Sequence, residues 1–304
     1  LPGKKAKGQR ILGMSDRTYR PRRAVLYVPA SNEKAIAKLP SLACDTVIFD
    51  LEDAVAPEAK AAARERLRSW FKTRPAGGPE CVIRINPLAS EWGTEDLLAA
   101  RACVPDAILV PKINTPRDIH DLDDVLDEID APPEVKLWIM IETPKALLNI
   151  GALAEFGRDP AARLSCFVAG TNDLVKETGV LATPDRRYLA HWLLQMVLAA
   201  RAGDLTVLDG VSNDFRDLDA FARECAEGAA MGFDGKTLIH PGQIEPALKA
   251  FSPSPEAVAE AEAIRAGFAA SVNAGKGVIS IDGKMVEWLH LAQAERLLAR
   301  ARQN

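Results

Sequence analysis

The chain has 304 residues, with 38 Lys and Arg against 42 Asp and Glu for a net charge of −4. That balance offers no global positive field for nucleic acid, and the length allows one large domain or a domain with an appendage. No apolar run approaches membrane-spanning length. The five cysteines, Cys44, Cys81, Cys103, Cys166 and Cys225, lack C-x-x-C spacing and mostly sit in apolar runs. They read as buried free thiols of a reducing, cytoplasmic protein. Residues 1–13 are basic and patternless, without the apolar centre of a signal peptide, and are expected to be a leader outside the fold.

Short apolar runs of β character stand at 24–28 (AVLYV), 46–50 (TVIFD), 81–85 (CVIRI), 107–110 (AILV), 137–141 (LWIMI), 164–168 (LSCFV), 205–208 (LTVL) and 236–239 (KTLI). Helical periodicity fills intervals such as 57–71, 95–103, 187–201 and 218–231. Near-continuous apolar strands alternating with helices predict a parallel sheet covered by helices. Eight such units match an α/β fold of the (β/α)8 TIM-barrel type, which takes about 250 residues, here 14–251. A doubly wound sheet is the rival, but VPASNEK follows the first strand where a dinucleotide fold would carry G-x-G-x-x-G. Past Pro253 and Pro255 the pattern changes. A helix at 256–270, two short strands around Asp282 and Gly283, and an amphipathic helix at 287–301 predict a helix–hairpin–helix extension over 252–304. It is too small to fold alone and is expected to pack on the barrel or on a neighbouring subunit.

In such a barrel the chemistry sits at the C-terminal ends of the strands. Those ends deliver Pro29 and Ser31, then Asp50, Glu52 and Asp53, then Arg84 and Asn86, then Lys112, Glu142, the turn 170–173, Asp209, and His240. Acids on several strands with Arg84 and Lys112 between them form a catalytic rim, because gathered charges are costly unless they pair or hold a ligand. Asp50, Asp209 and His240 read equally well as structural pairs. Glu142 and Asp173 end buried strands and leave positions open for water and substrate, as Mg²⁺ prefers. The amides of Gly170, Thr171 and Asn172 suit a substrate carboxylate. Arg84 is a fixed cation fit to stabilise an enolate or carboxylate oxygen. His120, His191, His240 and His290 form no H-x-H or H-E-x-x-H, and there is no G-x-S-x-G. Glu287 and His290 make a single Glu-x-x-His, where a di-iron bundle needs two copies.

The pieces RRAVLYVPASNEK, VIFDLEDAV, VIRINP, ILVPKI, IMIETP, GTNDL, LDGV, GFDGKTLIHPGQI and DGKMVEWLH resemble the citrate lyase β-subunit-like (CitE-like) group of the HpcH/HpaI aldolase superfamily. The resemblance runs from about Arg22 to the last helix. It implies a Mg²⁺-dependent TIM-barrel lyase that makes or breaks a carbon–carbon bond in acyl-CoA thioesters such as malyl-CoA, citramalyl-CoA or a citryl thioester. It implies Glu142 and Asp173 as metal ligands, Arg84 on the thioester or keto-acid oxygens, and Glu52 and Asp53 as the groups orienting Arg84 and water. It further implies a homo-oligomer, a trimer or a multiple of it, in which a tail acid reaches the site of a neighbouring subunit and handles the proton. That acid is Glu287, where the family has aspartate, and Leu289 stands at a common proline. Candidates for the CoA phosphates, by position, are Arg22, Arg23, Lys34 and Lys112. A Mg²⁺ aldolase acting on free hydroxy-keto acids is disfavoured by Asp53, where such enzymes carry histidine. A non-catalytic CoA-binding subunit is disfavoured by the intact Glu142, Asp173 and Arg84.

Overall fold

The structure is a computed structural model that describes residues 20–301 apart from Ala76 and Pro160; the expected leader 1–13 lies outside the described residues. The described chain divides into two compact units, one spanning Arg22–Phe251 and the other grouping the residues before Arg22 with those from Ser252 on.

In the first unit, strands and helices alternate as β1 Ala24–Pro29, α1 Glu33–Lys38, β2 Thr46–Asp50, α2 Lys60–Lys72, β3 Glu80–Arg84, α3 Gly93–Cys103, β4 Ala107–Val110 and α4 Pro116–Glu128. There follow β5 Lys136–Ile141, α5 Pro144–Ala154, β6 Leu164–Ala169, α6 Thr171–Thr178, α7 Ala190–Ala202, β7 Thr206–Asp209, α8 Leu218–Met231, β8 Gly235–Leu238 and α9 Ile244–Phe251. The eight strands close in sequence order into a parallel barrel, β8 pairing back onto β1. A (β/α)8 TIM barrel is therefore the fold, and the doubly wound alternative falls because an open sheet has two edge strands, whereas all eight strands here are paired on both sides.

Two apolar layers hold it. Val25, Ile48, Val82, Leu109, Trp138, Met140, Cys166, Val168 and Leu208 fill the barrel interior. Their partners one residue along each strand, such as Leu26, Phe49, Ile83 and Ile139, pack outward against the helices. Period two follows from the pleat: neighbouring side chains point to opposite faces. At the N-terminal mouth, Trp138 plugs the interior beneath the Arg22 guanidinium, 4.7 Å from its ring centroid.

The second unit contains α10 Pro255–Ala269, the antiparallel strands β9 Val278–Ile281 and β10 Lys284–Glu287, and α11 Trp288–Ala301. The hairpin turns at Asp282 and Gly283, which both adopt positive φ, 47° and 77°, as a two-residue turn of this hand requires. Ala261, Ala294 and Leu298 form its small core.

Candidate active site

Two groups of charges gather at the C-terminal ends of the strands. The first is built on β2 and β3. Asp50 and Arg84 are register partners at the ends of these strands, and both continue the inward alternation of Ile48 and Val82. Arg84 Nε and Nη2 each donate to one Asp50 oxygen at 2.7 Å. The same carboxylate also accepts from the Glu52 and Ala54 amides, at 2.9 and 3.1 Å. Asp50 is thus consumed in fixing the guanidinium plane. Tyr27, inward on β1, lies under that plane with its centroid 4.8 Å from Cζ, a cation–π contact that closes one face.

Glu52 leaves the turn after β2 and brings Oε2 to 2.8 Å from Arg84 Nη1. The distance is that of an ion pair, but Nη1 directs its hydrogen bond at Met140 Sδ, 3.7 Å away, and Glu52 Oε2, shielded from water, makes none. Burial drives the Glu52 carboxyl up to about 8, against the pull of Arg84 and with the help of Asp53 and Glu142. Asp53 is different. Its carboxylate stands 3.7 Å from Arg84 and is 76% exposed, so the expectation that it orients Arg84 is corrected: Asp50 does so.

The second group is built on β4, β5 and β6. Glu142 directly follows β5, and Thr143 then caps α5 by accepting from the Ala146 amide at 3.0 Å, with Pro144 at the first helical position. Asp173 stands in the first turn of α6, whose leading residue Gly170 supplies no side-chain cap to its amides. Lys112, just past β4, ties the two acids together. Its backbone takes the left-handed conformation, φ 57°, aiming its amide at Glu142 Oε1 at 2.8 Å. Its ammonium meets Asp173 Oδ1 at 2.8 Å and Glu142 Oε1 at 3.4 Å. Burial raises the Glu142 carboxyl, and the Lys112 charge opposes that rise. Burial works to lower the Lys112 ammonium, but the bond to Asp173 and the two negative charges prevail and raise it.

This pair fits a Mg²⁺ ion. Both carboxylates converge on one cationic group, and Mg²⁺ is held by one or two carboxylates while keeping several waters. Gly170 leaves the space: a β-carbon there would lie 3.0 Å from Glu142 Oε2. Among the described residues no cluster of three or more His, Cys, Asp or Glu side chains is set to hold a metal, so any further ligands would be water or substrate.

Several assignments change. Arg22 and Arg23 precede β1 and sit at the opposite, N-terminal end of the barrel. Arg22 forks onto Glu80 at 2.7 and 2.8 Å, and Arg23 onto Asp45 at 2.8 and 2.9 Å. They are corrected from CoA contacts to ties between strand starts. Lys112 is engaged by Glu142 and Asp173 rather than standing apart for a phosphate. Lys34, exposed on α1 just past β1, keeps its place on the correct end. Thr171 is buried at the mouth, while the Asn172 side chain exchanges amide hydrogen bonds with Asn213 at 2.9 and 3.1 Å.

Asp209 faces outward, fully buried between Arg186 at 2.8 Å and Lys236 at 2.9 Å, and is structural. His240 accepts from the Gly242 amide at 3.1 Å and caps the turn after β8. Glu287 and His290 belong to the second unit, where the Glu287 amide donates to His290 Nδ1 at 2.9 Å. Their spacing is that of a helix cap, not of a metal motif. The sequence reading missed the orienting role of Asp50 and the stacking of Tyr27. Period two running in from Ile48 and Val25 was the available signal for both.

A (3S)-malyl-CoA thioesterase of Cereibacter sphaeroides (strain ATCC 17025 / ATH 2.4.3) is 43% identical over 281 residues, covering 92% of this chain and 95% of that protein. The mitochondrial citramalyl-CoA lyase of Rattus norvegicus is 34% identical over 301 residues, covering 95% and 88%. The crystal structure of CitE from Mycobacterium tuberculosis in complex with magnesium, acetoacetate and coenzyme A superposes with a TM-score of 0.73 at 29% identity, covering 93% of this chain and 98% of that one. Residues 23–241, the barrel almost to its last helix, match the HpcH/HpaI aldolase/citrate lyase family, and the chain belongs to it.

Proposed function

We propose that the protein is a Mg²⁺-dependent carbon–carbon lyase. It cleaves, reversibly, a 3-hydroxyacyl-CoA such as malyl-CoA or citramalyl-CoA to acetyl-CoA and a 2-oxo acid. The observation that carries this reading is the pairing of two sites on one rim: a guanidinium locked by Asp50, and two convergent carboxylates, Glu142 and Asp173.

Glu142 and Asp173 would hold the metal, which when bound supplies a Lewis acid for the substrate's hydroxyl and carboxylate oxygens. The first-turn amides of α6 at Thr171 and Asn172 orient the substrate carboxylate. The hydroxyl proton passes to solvent water, the C2–C3 bond breaks as the C3 carbonyl forms, and its electron pair becomes the acetyl-CoA enolate. Arg84 stabilises the enolate oxygen, being held in place before the charge develops. Glu52, kept largely protonated at neutral pH by burial, borders the guanidinium without neutralising it. Glu287 of a neighbouring subunit, as the family resemblance implies, returns a proton to the enolate carbon, and in the synthetic direction removes it. Lys34 is the remaining candidate for a CoA phosphate. The same reading carries a homo-oligomer, a trimer or a multiple of it, in a reducing cytoplasm; the particle mass in solution tests the first. Among the described residues no helix is long and apolar enough to cross a membrane.

The deciding assay is turnover of malyl-CoA and citramalyl-CoA with Mg²⁺ and with EDTA, measuring both 2-oxo acid and free thiol. Mg²⁺-dependent release of 2-oxo acid without thiol supports the lyase, and the ratio of the two rates identifies the 2-oxo acid. The malyl-CoA thioesterase relative favours a second reading, hydrolysis of the same class of thioester. Thiol release without 2-oxo acid would replace the lyase reading with that one.

A further inference from the structure

Behind the first charge group lies a polar cluster that touches no substrate position. Lys60 opens α2 and is 3% exposed. Its ammonium donates to the Leu51 carbonyl at 2.8 Å, the Glu52 carbonyl at 2.9 Å and Asn86 Oδ1 at 3.0 Å. These acceptors match its three donors. The ring of Trp92 lies 4.7 Å from the charge. All four contacts are neutral groups. The nearest link to a counter-charge runs through Asn86, whose Nδ2 and backbone amide donate to Asp96 Oδ2 at 2.5 and 3.0 Å, and Asp96 in turn pairs with Arg64 at 3.0 Å.

A buried ammonium bound only to neutral acceptors is costly, and an apolar side chain would fill the space more cheaply. What the charge supplies is two donors for carbonyls that have left the sheet. Leu51 is also held by its amide to the Arg84 carbonyl at 2.9 Å and by Asn86 Nδ2 at 2.8 Å. Glu52 is held by its amide to Asp50 Oδ1. With its carbonyl on Lys60 and on the Val55 amide at 3.2 Å, and its amide on Asp50, the Glu52 backbone is pinned from both sides.

We propose that Lys60 is a positioning residue for the reaction: it clamps the backbone behind Glu52 and fixes where that carboxyl meets Arg84. This rests on the lyase reading of the same rim. The proposed metal ligands lie just past β5 and in the first turn of α6, outside the clamp.

The test is Lys60→Met, which keeps length and removes the charge. We expect kcat to fall by about 10–100-fold while KM and the Mg²⁺ affinity, measured by calorimetry, stay within about threefold. In Lys60→Met combined with Glu52→Gln, kcat should be no lower than in Glu52→Gln alone, because two changes acting through one group do not add. Additive losses, or kcat, KM and metal affinity failing together, would overturn the proposal. Amide hydrogen exchange supplies a readout that needs no turnover. The Glu52 and Ala54 amides should exchange at least about tenfold faster in Lys60→Met, with the Gly170 amide unchanged. Unaltered exchange at Glu52 and Ala54 also overturns it. A wild-type protein that turns over neither thioester would remove the lyase reading and leave this exchange test standing. If Lys60→Met does not fold, Trp92→Leu withdraws the ring from the charge and should give the same pattern at smaller size; unchanged kcat and exchange in that variant would count against the clamp.

Discussion

A β-carbon on Gly170 would stand 2.2 Å from the Cβ of Glu142. The end of β6 and the start of α6 approach the end of β5 so closely that only hydrogen fits between them. Gly170 has φ −98°, an ordinary value, so the demand for glycine here is one of space alone. Gly170→Ala must push Glu142 aside or separate the strand ends. The expected result is a loss of about 1–3 kcal/mol in stability, as for overpacking elsewhere. Mg²⁺ affinity should fall by about 10–100-fold, as when the support of a metal ligand is disturbed. Thermal melts and calorimetry measure the two separately.

Arg84→Lys should be as damaging as a non-conservative change. A lysine offers one point charge and no fork, so it cannot occupy both Asp50 oxygens, nor lie flat on Tyr27. The enolate oxygen would meet a cation that must reorganise, and kcat should drop by about 10²–10³-fold with a smaller change in KM. Equal losses in Arg84→Lys and Arg84→Ala would confirm that geometry, not charge alone, does the stabilising. A near-normal Arg84→Lys would remove the enolate role.

Glu52 gives the protein a pH signature. Its carboxyl rises from 4.5 to about 8 on folding, chiefly by burial. Between these values the folded state holds a proton that the unfolded state has lost, so unfolding releases it and stability falls as pH rises. The contribution is intact below about 4.5 and is lost progressively toward about 8. Melting temperature should therefore decline from pH 5 to pH 8.5 more steeply in the wild type than in Glu52→Gln, which cannot ionise. Parallel curves for the two proteins would show that Glu52 is already charged in the folded state.

The barrel was legible in the sequence because parallel strands buried on both faces are nearly continuous apolar runs, and all eight were placed within a residue or so of their observed ends. Glu142 and Asp173 were legible for the same reason: each ends or closely follows such a run. Partnership was not legible. Asp50 and Asp209 both end strands, yet one faces the interior on Arg84 and the other faces the helices on Lys236. The difference is a single step in a period of two, set by where each strand begins. Arg22 and Arg23 were misplaced because a basic residue beside a strand does not declare which mouth of the barrel it serves. Only the ties to Glu80 and Asp45 do that. Lys60 carries no motif, since two of its acceptors are backbone carbonyls, which no side-chain pattern records.

The cysteines supply a control on the folded state. Burial pushes the Cys44 and Cys103 thiols up to about 11 and Cys225 to about 12, and all five are buried. A thiol so far from ionising at pH 8 presents almost no nucleophilic thiolate. Iodoacetamide at that pH should leave the native protein unlabelled and modify all five cysteines in guanidinium chloride. Rapid labelling of one site without denaturant would locate a region that opens readily.

Glu287 can be separated from the fold that carries it. Its backbone amide donates to His290 Nδ1, so the cap at the start of α11 uses the main chain of Glu287 and the side chain of His290. Glu287→Ala should therefore spare the cap, and its melting temperature should match the wild type. His290→Ala leaves the amide without that acceptor and should cost about 1 kcal/mol, the usual scale for a lost cap. If the carboxyl carries the proton, Glu287→Ala abolishes deuterium exchange at the acetyl-CoA methyl while His290→Ala retains it. Glu287→Asp restores the length usual in the family; one methylene moves a carboxylate by more than about an ångström, enough to alter proton transfer. A changed exchange rate in Glu287→Asp, with melting temperature held, would tie the side-chain length to the chemistry. Wild-type exchange in Glu287→Ala would instead assign the proton to another group, and the protonated Glu52 beside Arg84 would be the next to replace.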